Sequence, residues 1–178
     1  MTGYTALLLI ATFNLVLCCE FPNGTETAMH WWDCGDGHVN LYSATPLDEN
    51  GNYVYPVYLY KRTLVAIELE NTDHEFTDSE NLILDVRVFR YGGWETCYWI
   101  EIPTFGMLAN RPACSSGIAC PVPVGRQTQT IYIDFDHYTT ITNILPNDAP
   151  YQLEYRVTNK ANGRKACITF QARAYTKP

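Results

Sequence analysis

Residues 151–173 read YQLEYRVTNKANGRKACITFQAR and contain two runs with the same pattern. In the first run, 151–158, apolar and polar side chains alternate, and residues 166–173 alternate again after the turn-forming pair Asn162 and Gly163. A period of two places successive side chains on opposite faces of a β-strand. The stretch therefore predicts a hairpin whose two strands each have one dry and one wet face.

The same alternation recurs along the chain. Gly-containing turns separate the alternating runs, and prolines keep two stretches, 103–127 and 140–150, out of regular pairing. Seven or eight short strands in one domain predict an all-β fold, a two-sheet antiparallel β-sandwich over residues 20–178. The further alternating runs are 38–44, 57–70, 82–89, 96–102 and 131–136.

The N-terminus predicts a secreted protein. Residues 6–17 form an apolar run that is too short to span a bilayer but suits a signal peptide, which we assign to residues 1–19. Cleavage after Cys18 and cleavage after Cys19 are both compatible with the sequence. Asn23 opens an Asn-Gly-Thr sequon just beyond this segment, so we predict N-glycosylation there.

The cysteines predict disulfides. No CxxC pair and no Cys/His spacing of a zinc site occurs among them, and an oxidising compartment favours bridges. An odd number, five, follows Cys19, so one thiol is left over unless cleavage leaves Cys19 in place. The five are Cys34, Cys97, Cys114, Cys120 and Cys167.

The charge excludes some partners. A formal net charge of −7 argues against nucleic acid, whose phosphates require a basic face. It also repels anionic lipid at neutral pH, a repulsion that an acidic compartment partly relieves. The charge is thus compatible with an endosome or lysosome.

No residues predict an active site, a metal site or a bound cofactor. Ser115 and Ser116 lie between two cysteines without a nucleophile elbow. Asp134, Asp136 and His137 are close in sequence, but alternation separates His137 from the two carboxylates. We therefore predict that the protein is not an enzyme.

Several apolar side chains fall in predicted loops, where polar residues are the rule. Tyr91 and Trp94 flank two glycines, and Ile144 and Leu145 lie in a proline-bounded stretch. Such residues either contact a membrane or rim a cavity, or they plug the ends of the core. We predict membrane contact for these four residues, and the sequence leaves the second interpretation open.

Five segments together resemble the ML lipid-recognition family, and within it the branch of ganglioside activators, over nearly all of the chain beyond the signal peptide. The resemblance implies a cup of two immunoglobulin-like sheets with an internal apolar cavity. It also implies bridges from Cys34 to Cys167 and from Cys114 to Cys120. The segments are WDC at 32–34, YWIEIP at 98–103, the cysteine pair with its proline at 114–121, LPNDAPY at 145–151 and NGRKACI at 162–168.

The implied function is lipid extraction from membranes, with presentation of a glycosphingolipid, phospholipid or sterol to a lysosomal hydrolase or an acceptor. The alternative is a secreted interaction protein, a co-receptor or ligand with lipid as filler or absent. Under the first hypothesis the inward strand faces line the lipid cavity, although the same residues equally suit an ordinary core. The predicted lining is Leu84, Val86, Val88, Ile100, Ile133, Phe135, Leu153, Tyr155 and Phe170.

Overall fold

The computed structural model describes residues 19–77, 81–133, 135 and 137–178. Most of the predicted signal peptide, together with Asp134 and Asp136, lies outside these residues. No helix in the described part is long and apolar enough to cross a membrane. The strands are β1 (His30–Asp33), β2 (Val39–Leu47), β3 (Val57–Tyr58), β4 (Thr63–Asn71), β5 (Leu82–Gly92), β6 (Tyr98–Glu101), β7 (Arg111–Pro112), β8 (Gly125–Ile133), β9 (Ala149–Asn159) and β10 (Lys165–Tyr175), and one α-helix, α1 (Thr139–Ile144), follows β8.

The strands form two sheets, as the alternation predicts. The larger sheet has the order β1-β10-β9-β5-β6, with β3 beside β10 and β7 beside β5, and the smaller sheet has the order β2-β4-β8. All pairings are antiparallel except the two-residue pairing of β3 with β10, which is parallel. The prediction of an all-β, two-sheet sandwich is confirmed, and this short parallel pair is the departure from it.

The hydrophobic core follows the period of two. Along β4 every second residue from Thr63 to Asn71 is buried, and β5 buries Leu82, Leu84, Val86 and Val88 while the residues between them are more exposed. These inward faces meet in one apolar core between the sheets. The burial of apolar area, at about 25 cal/mol per Å², holds the two sheets together.

The predicted hairpin is β9–β10. Its ten paired positions run from Thr158 and Lys165 to Ala149 and Ala174. Gly163 adopts a φ of 76°, which an L side chain rarely adopts, and its N–H donates to the carbonyl of Asn159 at 2.7 Å. The turn residues therefore set the register that the strand pattern requires.

Three disulfides fasten this framework. The bridges Cys34–Cys167 and Cys114–Cys120 confirm the two pairings that the family resemblance implies. Cys97, which had no partner in the sequence interpretation, pairs with Cys19. Only a chain that retains Cys19 can form this bridge, and the signal peptide and its cleavage position stay predictions.

The sandwich has two ends, which we name for reference. The turn end contains the β9–β10 turn (160–164), the start of β5 and the end of β4. The helix end contains α1 and the β5–β6 hairpin loop (93–97). Sequence periodicity does not predict α1, because six residues are too few to show a helical stripe.

Candidate functional site: cavities between the sheets

An apolar cavity of about 90 Å³ lies between the two sheets at the turn end. Strands β2, β4, β5, β8, β9 and β10 contribute to it, and the 113–122 loop closes its side through the bridge of Ile118 to Ile131. The volume is below the roughly 150 Å³ of an apolar cavity that holds benzene. Its apolar walls include Leu41, Leu69, Leu82, Ile131, Val157 and Ile168.

Polar side chains close the cavity where it approaches solvent at the turn end. Arg164, which lines the cavity, forms an ion pair with Asp73 from the β4–β5 loop. His74 lies 2.9 Å from the other carboxylate oxygen of Asp73 and 3.4 Å from the side-chain amide of Asn159. We call Asp73, His74, Asn159 and Arg164 the latch, because they connect the β4–β5 loop to the β9–β10 turn.

Phe76 lies behind the latch. Its ring meets the His74 ring edge-on at 5.0 Å, and it is part of the cavity wall. Its backbone pairs with Val122 in both directions, with N–O distances of 3.0 and 2.8 Å. The apolar cap of the cavity is therefore held by backbone hydrogen bonds, and the polar latch lies outside it.

A much smaller apolar cavity, about 20 Å³, lies between the sheets at the helix end. Phe170 lines this cavity, Tyr155 lines the larger one, and their rings meet edge-on at 6.0 Å. Both side chains are buried. This aromatic pair separates the space between the sheets into two compartments.

A third space, the side groove, opens between the edge of β8 and the edge of the larger sheet. Its volume is about 380 Å³, within the range of small-molecule sites. It has apolar walls from Leu84, Val86 and Phe135, and polar ones from arginine, serine and tyrosine side chains. Tyr155 lines both this groove and the turn-end cavity, so its side chain lies between the two.

The structure distributes the predicted lining residues among these three spaces. Tyr155 lies at the turn-end cavity, Leu84, Val86, Phe135 and Tyr155 at the side groove, and Ile133, Leu153 and Phe170 at the helix-end cavity. Val88 is fully buried, Ile100 is partly exposed, and neither lines any of the three. The lipid-contact role of the whole set stays a prediction.

Sequence reasoning missed most walls of the turn-end cavity. Leu82, Val157 and Ile168 share the inward faces of the predicted residues but lie two positions nearer the β9–β10 turn. Alternation identifies the face of a strand but carries no information on which inward positions border a void. The proximity of these residues to a Gly-containing turn was the one available signal, and it is weak.

The predicted membrane-contact residues lie at or near the helix end. Trp94 is 98% exposed and Ile144 is exposed at the end of α1, whereas Tyr91 packs against Trp99 with ring centroids 5.0 Å apart. Leu145 is 3% exposed and belongs to the core, so the prediction of membrane contact is wrong for it. Burial of Leu145 follows from its position just after α1, where the chain turns inward.

These loops are far from the turn-end cavity. Strand β5 runs from Leu82 at that cavity to Gly92 at the β5–β6 hairpin, and its eleven residues span roughly 35 Å. Exposed apolar loops at the helix end therefore do not surround the larger apolar cavity. A lipid path from these loops would have to pass the Tyr155–Phe170 pair or reach the side groove.

The predicted glycosylation site lies on the surface. Asn23 is exposed, its amide donates to the side chain of Gln171 at 2.9 Å, and Thr25 of the sequon is buried. Glycosylation of Asn23 stays a prediction. Within the residues that the structure describes, no three His, Cys, Asp or Glu side chains are grouped so that they could hold a metal ion.

Comparisons with known proteins do not establish a family. No protein-family model matches the sequence, and no curated protein matches it either. Membership of the ML family, and of its ganglioside-activator branch, therefore stays a prediction.

Two solved structures resemble the chain in outline. One is a Niemann-Pick type C2 protein from the Japanese carpenter ant, with a TM-score of 0.45 and 11% identity over 82% of this chain and 98% of that chain. Another is the C-terminal domain of wzt, with a TM-score of 0.44 and 8% identity over 84% of this chain and 80% of that chain. Similarity at this level carries no functional conclusion.

Proposed function

We propose that this protein binds an amphipathic lipid between its two sheets and carries it between membranes or to a second protein. The observation that supports this most is the apolar turn-end cavity, which shares the buried side chain of Tyr155 with the side groove. An apolar interior beside a polar opening matches a molecule with an acyl chain and a headgroup. If the core served only to stabilise the fold, larger side chains that fill the cavity would raise the free energy of unfolding.

Burial of the acyl chain would supply the affinity. Each CH₂ that moves from water into an apolar cavity gains about 0.8 kcal/mol. Exchange with a bilayer is nearly neutral, because the chain passes from one apolar environment to another. A carrier of this kind therefore needs no energy source.

A long chain needs more room than the turn-end cavity provides. The helix-end cavity lies on the far side of the Tyr155–Phe170 pair, so a rotation of either ring would extend the space along the sheets. Entry of a long chain thus displaces this aromatic pair. The cavity as it stands is smaller than one that holds benzene, so entry of any acyl chain requires these side chains to move, and a single chain requires less widening than two.

The compartment and the membrane contact are further parts of the proposal. Three disulfides suit an oxidising compartment, which supports secretion, and we propose onward routing to lysosomes. Trp94, at the tip of the β5–β6 loop, has the side chain most favoured at a membrane interface. Presentation of the bound lipid to a hydrolase completes the proposal.

The interaction protein is the second candidate. Trp94 and Phe105 are 98% and 77% exposed, and aromatic side chains of this kind also form the centres of protein–protein contacts. The variant Trp94→Ser discriminates between the two. Loss of liposome association with biological activity intact would favour the interaction protein.

The test of lipid binding is native mass spectrometry of protein from a eukaryotic secretory host, followed by solvent extraction. The carrier predicts one lipid per chain, and the variant Leu69→Trp, which fills the turn-end cavity, should be purified without it. The matched control is Arg126→Gln, a change on the exposed face of β8 that should retain the lipid. An empty wild-type protein that also takes up no lipid from liposomes, at about pH 5 and about pH 7, would overturn the proposal.

A further inference from the structure

The side groove carries two positively charged side chains in a protein that is acidic as a whole. Arg62, just before β4, and Arg111, in β7, both line the groove and both are exposed. His137 and the hydroxyl groups of Ser115 and Ser116 line it as well. The groove therefore offers hydrogen-bond donors beside its apolar walls.

Most arginines of the chain form ion pairs within the part that the structure describes. Five of the eight arginines form ion pairs with carboxylates of described residues, namely Arg87, Arg126, Arg156, Arg164 and Arg173. Arg62, Arg90 and Arg111 form none with the carboxylates that the structure describes. Two of these three lie at the side groove, although acidic residues outnumber basic ones by nineteen to twelve.

The groove is a firmly held part of the structure. The Arg62 guanidinium lies 4.2 Å from the centre of the Tyr132 ring, an arrangement that holds the side chain in place. The Cys114–Cys120 bridge closes the loop that carries Ser115 and Ser116. These groups therefore require little ordering when a ligand binds.

Close contact at Gly117 holds that loop against β8. Its carbonyl accepts the N–H of Tyr132 at 2.8 Å, and a Cβ at Gly117 would lie 2.7 Å from the Tyr132 carbonyl oxygen. Only glycine permits this approach. The loop consequently fixes one side of the groove relative to Tyr132 and Arg62 on the other.

We infer that the side groove is a binding site for the anionic headgroup of a single-chain amphiphile, with Arg62 and Arg111 as the headgroup-binding residues. The inference rests on the proposed function, since the chain of the same molecule would enter past Tyr155 into the apolar interior. Guanidinium groups bind phosphate, sulfate and carboxylate through paired hydrogen bonds. A phosphate monoester on one acyl chain is the ligand class that fits both parts.

Three probes separate the headgroup from the chain. They are 1-oleoyl lysophosphatidic acid, 1-oleoylglycerol, which lacks the phosphate, and glycerol 3-phosphate, which lacks the chain. Binding of each is measured by calorimetry, with the two oleoyl probes kept below the concentrations at which they aggregate. We expect the lysophosphatidic acid to bind about tenfold more tightly than 1-oleoylglycerol, with a preference that falls as salt rises.

Variants then assign the preference to the groove. Arg62→Gln/Arg111→Gln should reduce the affinity for lysophosphatidic acid to that for 1-oleoylglycerol and leave the latter unchanged. Arg90→Gln, which removes the third arginine of this group, lies outside the groove and should keep the preference. Both arginines of the double variant are exposed, so its thermal unfolding should match that of the wild type, and Arg62→Gln alone provides a milder second variant.

The outcomes distinguish the inference from the proposed function. Equal binding of both oleoyl probes, unchanged in the double variant, would overturn the headgroup site and leave lipid binding intact. Binding of neither oleoyl probe would contradict the proposed function itself. Tight binding of glycerol 3-phosphate alone would identify a site for a free phosphate ester and overturn the assignment to an amphiphile.

Discussion

The turn end and the helix end are built from the same strands, yet they pack differently. The turn end holds a cavity of about 90 Å³ and the helix end one of about 20 Å³. At the helix end, Met29, Val57 and Leu59 from segments at the margin of the larger sheet fill the space between the sheets. At the turn end the cap is Phe76 with its pairing partner Val122, and the latch lies beyond it.

The difference shows that an alternating pattern and a filled core are separate properties. The inward faces at both ends are mainly apolar, so the hydrophobic effect favours both about equally per unit area. Met29, Val57 and Leu59 fill the space between the sheets at the helix end, whereas the larger cavity lies at the turn end. The less filled end is the better candidate for ligand binding, because the protein loses fewer of its own contacts there when a ligand enters.

The largest expected effect comes from the disulfides at the two ends. The Cys34–Cys167 bridge spans 133 residues at the turn end, and Cys19–Cys97 spans 78 at the helix end. Replacement of either pair by alanine should lower the free energy of unfolding by about 4 to 5 kcal/mol in guanidinium titrations, because the unfolded chain regains its freedom. Loss of the turn-end bridge should also increase uptake of an apolar fluorescent dye, and loss of the helix-end bridge should not.

The Cys114–Cys120 pair is the control for this comparison. Its six-residue separation predicts a loss of about 2 kcal/mol on replacement by alanine. Equal dye uptake by both long-bridge variants would contradict a special access route at the turn end.

A matched pair of enlarged side chains gives the next effect. Val65→Phe, at a fully buried position of the helix end, should lower the free energy of unfolding by about 1 to 3 kcal/mol, because the core there has little space. Leu69→Phe, on the same face of β4 but at the turn-end cavity, should change it by less than about 1.5 kcal/mol. Urea titrations measure both, and a larger loss for Leu69→Phe would reverse the comparison.

The latch should affect exchange more than stability. Arg164→Gln removes the ion pair with Asp73 and should cost less than about 1 kcal/mol, because the pair is partly exposed. Transfer of a fluorescent fatty acid from liposomes should become several-fold faster, since the β4–β5 loop loses a contact with the β9–β10 turn. Arg173→Gln, which removes an ion pair at the helix end, is the control. Equal acceleration in both variants would show that the latch does not control access.

The smallest effect is a pH dependence that differs between the ends. At the helix end, the hydrogen-bonded Arg173 lowers the pKa of Asp148. At the turn end, burial raises the pKa of Asp36, whereas hydrogen bonds from the backbone N–H groups of Lys165 and His38 lower it. The second effect is larger, so the pKa of Asp36 lies below its usual value. Each carboxylate thus stabilises the fold above its unfolded pKa of about 3.9, and this contribution is lost as the pH falls through the lower folded value.

Salt separates the two contributions. Urea titrations across this acid range should show Asp148→Asn and Asp36→Asn approaching wild-type stability as the pH falls. Added salt should weaken the Asp148 contribution, which comes from an exposed ion pair, more than that of Asp36, which comes from backbone hydrogen bonds. The same salt dependence in both variants would contradict the distinction.

Much of the fold follows from local sequence. The alternation in 151–158 and 166–173 predicts β9 and β10, and the Asn-Gly turn predicts their connection. The two disulfides implied by the family resemblance are present as well. The partner of Cys97 was beyond the sequence interpretation, because the bridge joins it to a residue next to the predicted cleavage site.

Some features of the candidate site also follow from the local sequence, and others depend on the tertiary structure. Period-two alternation by itself determines which side chains of β5, β9 and β10 face inward, since consecutive side chains must leave a strand on opposite sides. Only the tertiary structure decides that the cavity borders Leu82, Val157 and Ile168 and that Arg62 and Arg111 lie at one groove. Voids and charge clusters arise where segments distant in sequence meet, and a local pattern cannot encode how completely those segments fill the space between them.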